Sequence, residues 1–507
     1  MKTAPNTIIS KTQPTISARR RWSALAVLML PVLLVSVDNT VLAFAMPSIS
    51  QALQPTGVQQ LWIIDVYSLV LAGLLVPMGS FGDRIGRKKL LLIGSTGFAL
   101  ASALAAFSPN ATWLIIGRAS IGFFGAMLMP STLSLIRNIF THDTERRTAI
   151  AIWAAMFSGG AALGPIVGGF LLEHFQWGSI FLMGLVVLLP FLALAPWVLP
   201  ESQDPNPGAV DILSIFLAIS TMTPIVYAIK AVAESGLTPL NLLTATAGLI
   251  CGALFIRRQL KQPIPMLDVR LFTNPTFTGA ILGNLLAIFS LAGFIFFVSQ
   301  HLQLVRGMSP MDAGIFLLPG LTVTVLAGLA VVKIVPKISP GTVVAGSLML
   351  GAVAYGVVAI SDNAATNLGL MIAFLMLGSA SGAGETIAND LMLSSVPSEK
   401  SGAASAISEA SYELGALLGT TVLGGIITAV YRSQIQLPQG LNADDAHHAQ
   451  ETLGGAVSVA QHLEHHGTEL LTSAQHAFDS GVVWTAVISA ILMALASIIV
   501  YRLLRQA

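Results

Sequence analysis

The chain has 507 residues, of which 54% are hydrophobic and only 10% charged, with a mean hydropathy of +0.79 and a formal net charge of +1. A soluble domain carries roughly a quarter charged residues, so the composition excludes a water-solvated globule and makes lipid the main solvent. The single cysteine, Cys251, sits in an apolar run and excludes an intrachain disulfide.

In chain order, a tail ending in Arg19–Arg21 leads into an apolar stretch that runs past Met46. That is too long for the apolar region of a cleavable signal peptide, so it reads as a first membrane span. A spanning helix needs about 20 mostly apolar residues, and helices are the open-chain form that satisfies its own backbone in lipid. Such runs predict fourteen helices, near 22–46, 58–80, 89–107, 112–136, 148–171, 179–199, 210–230, 238–256, 275–304, 311–332, 341–361, 367–395, 402–431 and 480–501. The basic residues test the count, because Lys and Arg concentrate in cytoplasmic loops. With the N-terminus inside, all but four of the 25 fall in inside segments; Lys230, Arg306 and Arg432 fall outside, and Arg118 within a span. The expectation is an all-α polytopic membrane protein with both termini cytoplasmic.

Two connections are distinctive. The linker 200–211 contains the proline-rich ESQDPNPGAVD and closes the first six spans. Residues 432–478 form a polar external loop with helical stretches near 443–463 and 467–478 and six of the nine histidines: His447, His448, His462, His465, His466 and His476. The spacing of His462, His465 and His466 suits a metal, but with no cysteine beside them a solvated loop is the simpler reading, and no metal is expected.

Five segments carry motifs. GSFGDRIGRKK at 79–89 combines turn-forming glycines with Asp83 facing Arg84, Arg87 and Lys88. LIIGRASIGFFGA at 114–126 puts Arg118 in the membrane, where it requires a carboxylate or carbonyl partner. GGAALGPIVGG at 159–169 offers Gly164 and Gly168 for close helix contact and Pro165 for a bend. VDNTVLAFAMP at 37–47 and LWIIDVYSLVL at 61–71 each place an acid in a span. Together these resemble the major facilitator superfamily, and within it the fourteen-span drug:proton antiporter branch with its Qac- and Smv-type exporters of quaternary ammonium compounds, biguanides and methyl viologen. The resemblance implies two six-helix bundles related by a pseudo-two-fold axis, with two additional helices bridging them. It makes Asp83, Arg84, Arg87 and Lys88 a conformational latch and 159–169 an antiporter motif. Qac-type exporters of divalent cations also carry an acid in the tenth span. Here AGIFLLPGLTVTVLAG has none beyond Asp312 at its edge, which leans toward the Smv type.

Isolated carboxylates cost about 2.5–3.5 kcal/mol in a span, so Asp38, Asp65, Glu385, Asp390, Glu409 and Glu413 need an explanation. With Arg118 as the one intramembrane cation expected, most must be protonated, wetted or occupied by an exogenous cation. Glu409 and Glu413, four apart, share a helix face; like charges there can hold a proton between them. Asp65 lies near Trp62 and Tyr67, aromatic faces suited to a delocalised cation. Asp390 approaches the cytoplasmic end and reads as solvated.

The predicted organisation is a tail (1–21), a first six-helix bundle (22–199), a linker with two additional helices (200–270) and a second bundle (271–507). The predicted function is proton-coupled export of organic cations from a bacterial cytoplasmic membrane, by a monomer with no cofactor, no catalytic residue and no nucleic-acid partner. Coupling falls to Asp38, Asp65, Glu385, Glu409 and Glu413. The alternative is a proton-coupled transporter of a neutral or amphipathic molecule. No Walker loop or HExxH occurs, which argues against ATP drive and metal-peptidase chemistry.

Overall fold

The computed structural model describes residues 17–203, 211–263, 265–360, 367–396, 401–439, 441–463 and 466–505. The tail before residue 17, linker residues 204–210, Lys400, His465 and the Asp83 side chain lie outside the described residues. The helices are α1 (Ala18–Leu53), α2 (Gly57–Ile85), α3 (Arg87–Ala106), α4 (Ala111–Gly125), α5 (Leu128–Ile139), α6 (Asp143–His174), α7 (Ser179–Val198), α8 (Ile212–Ser235), α9 (Pro239–Lys261), α10 (Pro275–Gln300), α11 (Pro310–Ile334), α12 (Pro340–Ile360), α13 (Asn367–Ser394), α14 (Ser401–Gln434), α15 (Ala443–Glu451), α16 (Leu453–Ala460) and α17 (Gly467–Leu504). By length and composition thirteen segments among the described residues can cross a membrane, α4 and α5 counting together, and the bent α6 makes a fourteenth.

The spans divide into two bundles, each with its own apolar core. One core runs from Ala24 to Leu199 and the other is built almost wholly from Leu271 to Leu504. Helices α1–α7 therefore form the first half, α10–α14 with α17 the second, and α8 and α9 are accessory. Leu504 of α17 abuts Gly279 near the start of α10, while Gly454 of α16 abuts Ser50 near the end of α1. One face of the molecule thus carries the start of α1 and the end of α17 (the terminal end), and the opposite face carries α15 and α16 (the hairpin end).

Local chemistry sets the boundaries that matter. Thr56 caps α2 with a capping box: its Oγ1 accepts from the Gln59 N–H at 3.2 Å, and Gln59 Oε1 accepts from the Thr56 N–H at 3.1 Å. Gly86 ends α2 with φ +108, a left-handed conformation that side chains resist, and a Cβ there would lie 2.7 Å from Glu201 Oε1. In α6, Thr148–Ala161 and Leu163–His174 meet at 40°. Pro165 has no N–H for the Ala161 carbonyl, and Thr40 of α1 supplies the missing donor at 3.1 Å. The stretch expected as a helix near 467–478 is the first part of the continuous α17, while 443–463 holds the two short helices α15 and α16.

At the hairpin end the halves are tied together. Gln60 Nε2 donates to Gln300 Oε1 at 3.0 Å, Ser299 Oγ to the Ala43 carbonyl at 2.8 Å, and Gln303 to the Phe44 carbonyl at 3.1 Å. Glu451, buried on α15, accepts from the Gly57 N–H at 2.9 Å and pairs with Arg432 of α14 at 3.1 Å. That one carboxylate clips the hairpin to both halves.

Candidate functional site

Asp390 apart, the span acids singled out in the sequence fall into three groups. The first surrounds Arg118 on α4, 2% exposed. Its Nη1 meets Asp38 Oδ2 of α1 at 2.8 Å, its Nε donates to the Ile63 carbonyl at 3.2 Å, and its guanidinium lies 4.5 Å from the Tyr67 ring centroid. Arg118 therefore has both kinds of partner that a buried guanidinium requires, and Asp38 has a dedicated counter-ion. Tyr67 is fully buried against that guanidinium, with no hydrogen-bond partner for its hydroxyl among the described residues.

The second group corrects the sequence reading. Lys230 is not external, and Arg118 is not the sole intramembrane cation: Lys230 lies within α8, is 0% exposed, and pairs with Asp65 Oδ2 of α2 at 2.9 Å. Its ammonium sits 4.0 Å from the Trp62 ring centroid, and Thr421 of α14 donates to the same Asp65 oxygen at 2.5 Å. The positive-inside rule placed Lys230 outside because it stands near a helix end. Apolar residues flank it on both sides in IVYAIKAVAES, a signal of burial that the loop count overrode.

The third group is Glu385 of α13 with Glu409 and Glu413 of α14. Glu385 and Glu409 are half-buried and within electrostatic reach of each other. Glu413 is 2% exposed, faces Asn39 and Ser68, and has an Oε2 without a hydrogen-bond partner. No cation forms an ion pair with these three glutamates among the described residues; Arg118 faces Glu413 only at longer range. Tyr412 lies within reach of all three. Its ring meets Phe157 edge-on at 6.0 Å, and Phe157 stacks on Trp153 at 6.1 Å and 8°. Trp153, Phe157 and Tyr412 were missed in the sequence, although the i, i+4 pair on the span bearing the antiporter motif and the tyrosine between two glutamates were available signals. Asp390 is exposed near the end of α13.

Around these groups the motif residues pack helices. A Cβ on Gly164 would lie 1.9 Å from Thr40 Oγ1, and one on Gly168 would lie 2.8 Å from Val41. The Pro165 carbonyl abuts Gly314 of α11, so α6 joins the halves as well as bending. In the 79–89 loop, Arg87 donates its backbone N–H to the Ser202 carbonyl at 2.9 Å, and Lys88 Nζ donates to the Pro196 carbonyl at 2.7 Å. Both turn to the end of their own half, and Arg84 is exposed. No cluster of three metal-ligating side chains occurs among the described residues.

Two bundles of six spans, accessory helices and acids held within the spans define a secondary-transporter architecture. The chain belongs to the Major Facilitator Superfamily, whose model matches residues 28–420, a family of membrane transporters rather than enzymes. It is 53% identical to the "Multidrug efflux pump LfrA" of Mycolicibacterium smegmatis, over 96% of this chain and 97% of that protein. It is 36% identical to the "Methyl viologen resistance protein SmvA" of Salmonella typhimurium, over 90% and 93%. In structure it is similar to a bacterial homologue of the human lysosomal transporter Spinster, crystallised inward-facing and unoccupied. The TM-score is 0.67 at 18% identity, over 97% of this chain and 99% of that one, a likeness of fold alone.

Proposed function

We propose that the chain is a proton-coupled antiporter exporting organic cations, of the quaternary ammonium, biguanide or dye type, from the bacterial cytoplasm. The observation that carries this reading is the group of three glutamates without ion-paired cations, Glu385, Glu409 and Glu413, beside the aromatic run Trp153–Phe157–Tyr412. Carboxylates attract a positive solute, and aromatic faces add about 0.5–2 kcal/mol of cation–π attraction. The relatives named for multidrug efflux and for methyl viologen resistance support drug export.

In this reading the basic loops put the terminal end in the cytoplasm. The halves, joined at the hairpin end, then leave Glu385 and Glu409 approachable from inside. A cytoplasmic cation displaces a proton from the glutamates, rocking exposes the site outside, and an external proton releases the cation. Each charge moved through 100 mV contributes about 2.3 kcal/mol, roughly a 50-fold gradient. The Asp83, Arg84, Arg87 and Lys88 loop latches the terminal end when the halves close there. The working unit is a monomer divided at 22–199, 200–270 and 271–507, driven by the proton gradient without a cofactor.

Inside-out vesicles energised by respiration and loaded with a fluorescent pH probe test this. Adding ethidium or a quaternary ammonium compound should trigger proton release that protein-free vesicles lack. Flux of a drug without proton movement would overturn the coupling; no response to any cation would overturn cation export and favour a neutral or amphipathic substrate.

A further inference from the structure

The Asp65–Lys230 pair stands where three helices from three different parts of the molecule meet. Asp65 is on α2 of the first half, Thr421 on α14 of the second, and Lys230 on accessory helix α8. One turn toward the terminal end from each of the three polar residues lies an apolar one, and Leu69, Val226 and Leu417 form a small core of their own, flanked by Trp62, Met222 and Leu414. The seam between the halves is thus filled by α8, with an apolar plug below and a charged node above. A carboxylate with an indole face is the equipment of an organic-cation site. Here the chain's own ammonium occupies it, 2.9 Å from the carboxylate and 4.0 Å from the ring centroid, with carboxylate and ammonium at 1% and 0% exposure.

We propose that Lys230 is a positioning residue of the transport cycle: a tethered cation that fills the Asp65–Trp62 box, so that Asp65 anchors the accessory helices to the moving seam and carries neither proton nor drug. Thr421 and Lys230 bind the same Asp65 oxygen from different bodies. When the halves part along α2 and α14, Thr421 must leave, whereas Lys230 on the accessory helix keeps the charge compensated. The inference deepens the transporter reading and depends on alternating access, not on which solute is moved.

The test compares Asp65→Asn, Lys230→Met, Lys230→Arg and the double variant Asp65→Asn/Lys230→Met in vesicles, using whatever substrate the wild type transports and normalising to membrane-inserted protein. Each neutralising single change strands a buried charge, and transport should fall about ten-fold or more. Lys230→Arg and the double variant should return to within about three-fold of wild type, with proton release per substrate unchanged. A double variant as inactive as Asp65→Asn, though inserted and as heat-stable in detergent as wild type, would overturn the proposal, because Asp65 would then be needed for its own charge. So would a Lys230→Met protein transporting like wild type. If the singles fail to insert, recovery of inserted, active protein in the double variant supports the proposal, and its absence, with Lys230→Arg also lost, refutes it. A wild type that moves no cation would sink the cation-export reading alone.

Discussion

Glu413→Gln is the most direct test of the proposed proton site. Glu409 and Glu413 are four residues apart on α14, about 6 Å along the helix axis. At an effective dielectric of ~20, two full charges at that separation repel by about 3 kcal/mol, a factor of about a hundred in occupancy. No ion-paired cation offsets that repulsion among the described residues, and Glu413 Oε2 is buried without a hydrogen-bond partner. The doubly charged pair is therefore strongly disfavoured unless a solute cation lies beside it, and a proton and a cation become alternatives. In wild type the affinity for tetraphenylphosphonium, measured by equilibrium dialysis between pH 6 and 8, should weaken as pH falls. Glutamine keeps the shape, removes the repulsion and cannot titrate. The variant should lose most of that pH dependence, and substrate-triggered proton release should drop to a tenth or less. A Glu413→Gln protein with the wild-type pH slope and full proton release would refute the argument and move the proton site elsewhere.

Three further outcomes follow from the geometry. Gly164→Ala would push a Cβ to 1.9 Å from Thr40 Oγ1; overpacking of this kind costs about 1–3 kcal/mol, so thermal unfolding in detergent should occur at lower temperature, and Thr40→Ala should restore part of the loss. Glu451→Gln keeps an acceptor for the Gly57 N–H but loses the ion pair with Arg432, about 1.5 kcal/mol for a charge-assisted bond; disulfide formation between Gln60→Cys and Gln300→Cys, in a Cys251→Ala background, should slow as the hairpin end opens, and an unchanged rate would refute the clip. Asp211 caps α8, and hydrogen bonds from Arg258, first, then from Ser214 hold its carboxyl down at about 2 against an ordinary 3.8. Its contribution is therefore complete above about pH 4 and disappears as pH falls through about 2, so Asp211→Asn should melt earlier than wild type at pH 6 and alike at pH 2.

The membrane solvent made the spans legible, since it imposes length, apolarity and loop charge on every one, and each predicted run has its helix. What a hydropathy reading lacks is direction around the helix axis and depth across the bundle. Arg118 was legible as a residue needing a partner, but only packing shows that Asp38 of α1 fills the need. Lys230 was misplaced because a single lysine near a helix end looks the same whether it reaches for water or for a carboxylate on another helix. The bend in α6 was readable from Pro165; the hydroxyl that satisfies the freed carbonyl, Thr40, is 121 residues away in sequence. Glu409 and Glu413 were read from spacing alone, because one helix carries both. Tyr412 stands between them on the same helix, whereas Phe157 and Trp153 of α6 join them only through contact between halves.

The distribution of charge separates acids with an ion-paired cation from acids without one among the described residues. Asp38 and Asp65 both belong to the first half, and each has a cation built in, Arg118 or Lys230, at 2.8 and 2.9 Å. Their charges are compensated within the protein, and under the proposed cycle they hold helices together. Glu385, Glu409 and Glu413 all belong to the second half and have no such built-in cation among the described residues. At about 2.5–3.5 kcal/mol for each uncompensated carboxylate, leaving all three charged and empty would cost about 8–10 kcal/mol, comparable to the whole stability of a typical domain. Under the proposed antiport the empty, fully charged state is the one the molecule avoids, with a proton or a solute cation present before the halves rock. On that proposed reading exchange is obligatory because of what the second half lacks, and placing a lysine beside the glutamates by Ser408→Lys, a position facing Asn389 one turn from Glu385, should abolish drug-dependent proton release while leaving the protein inserted.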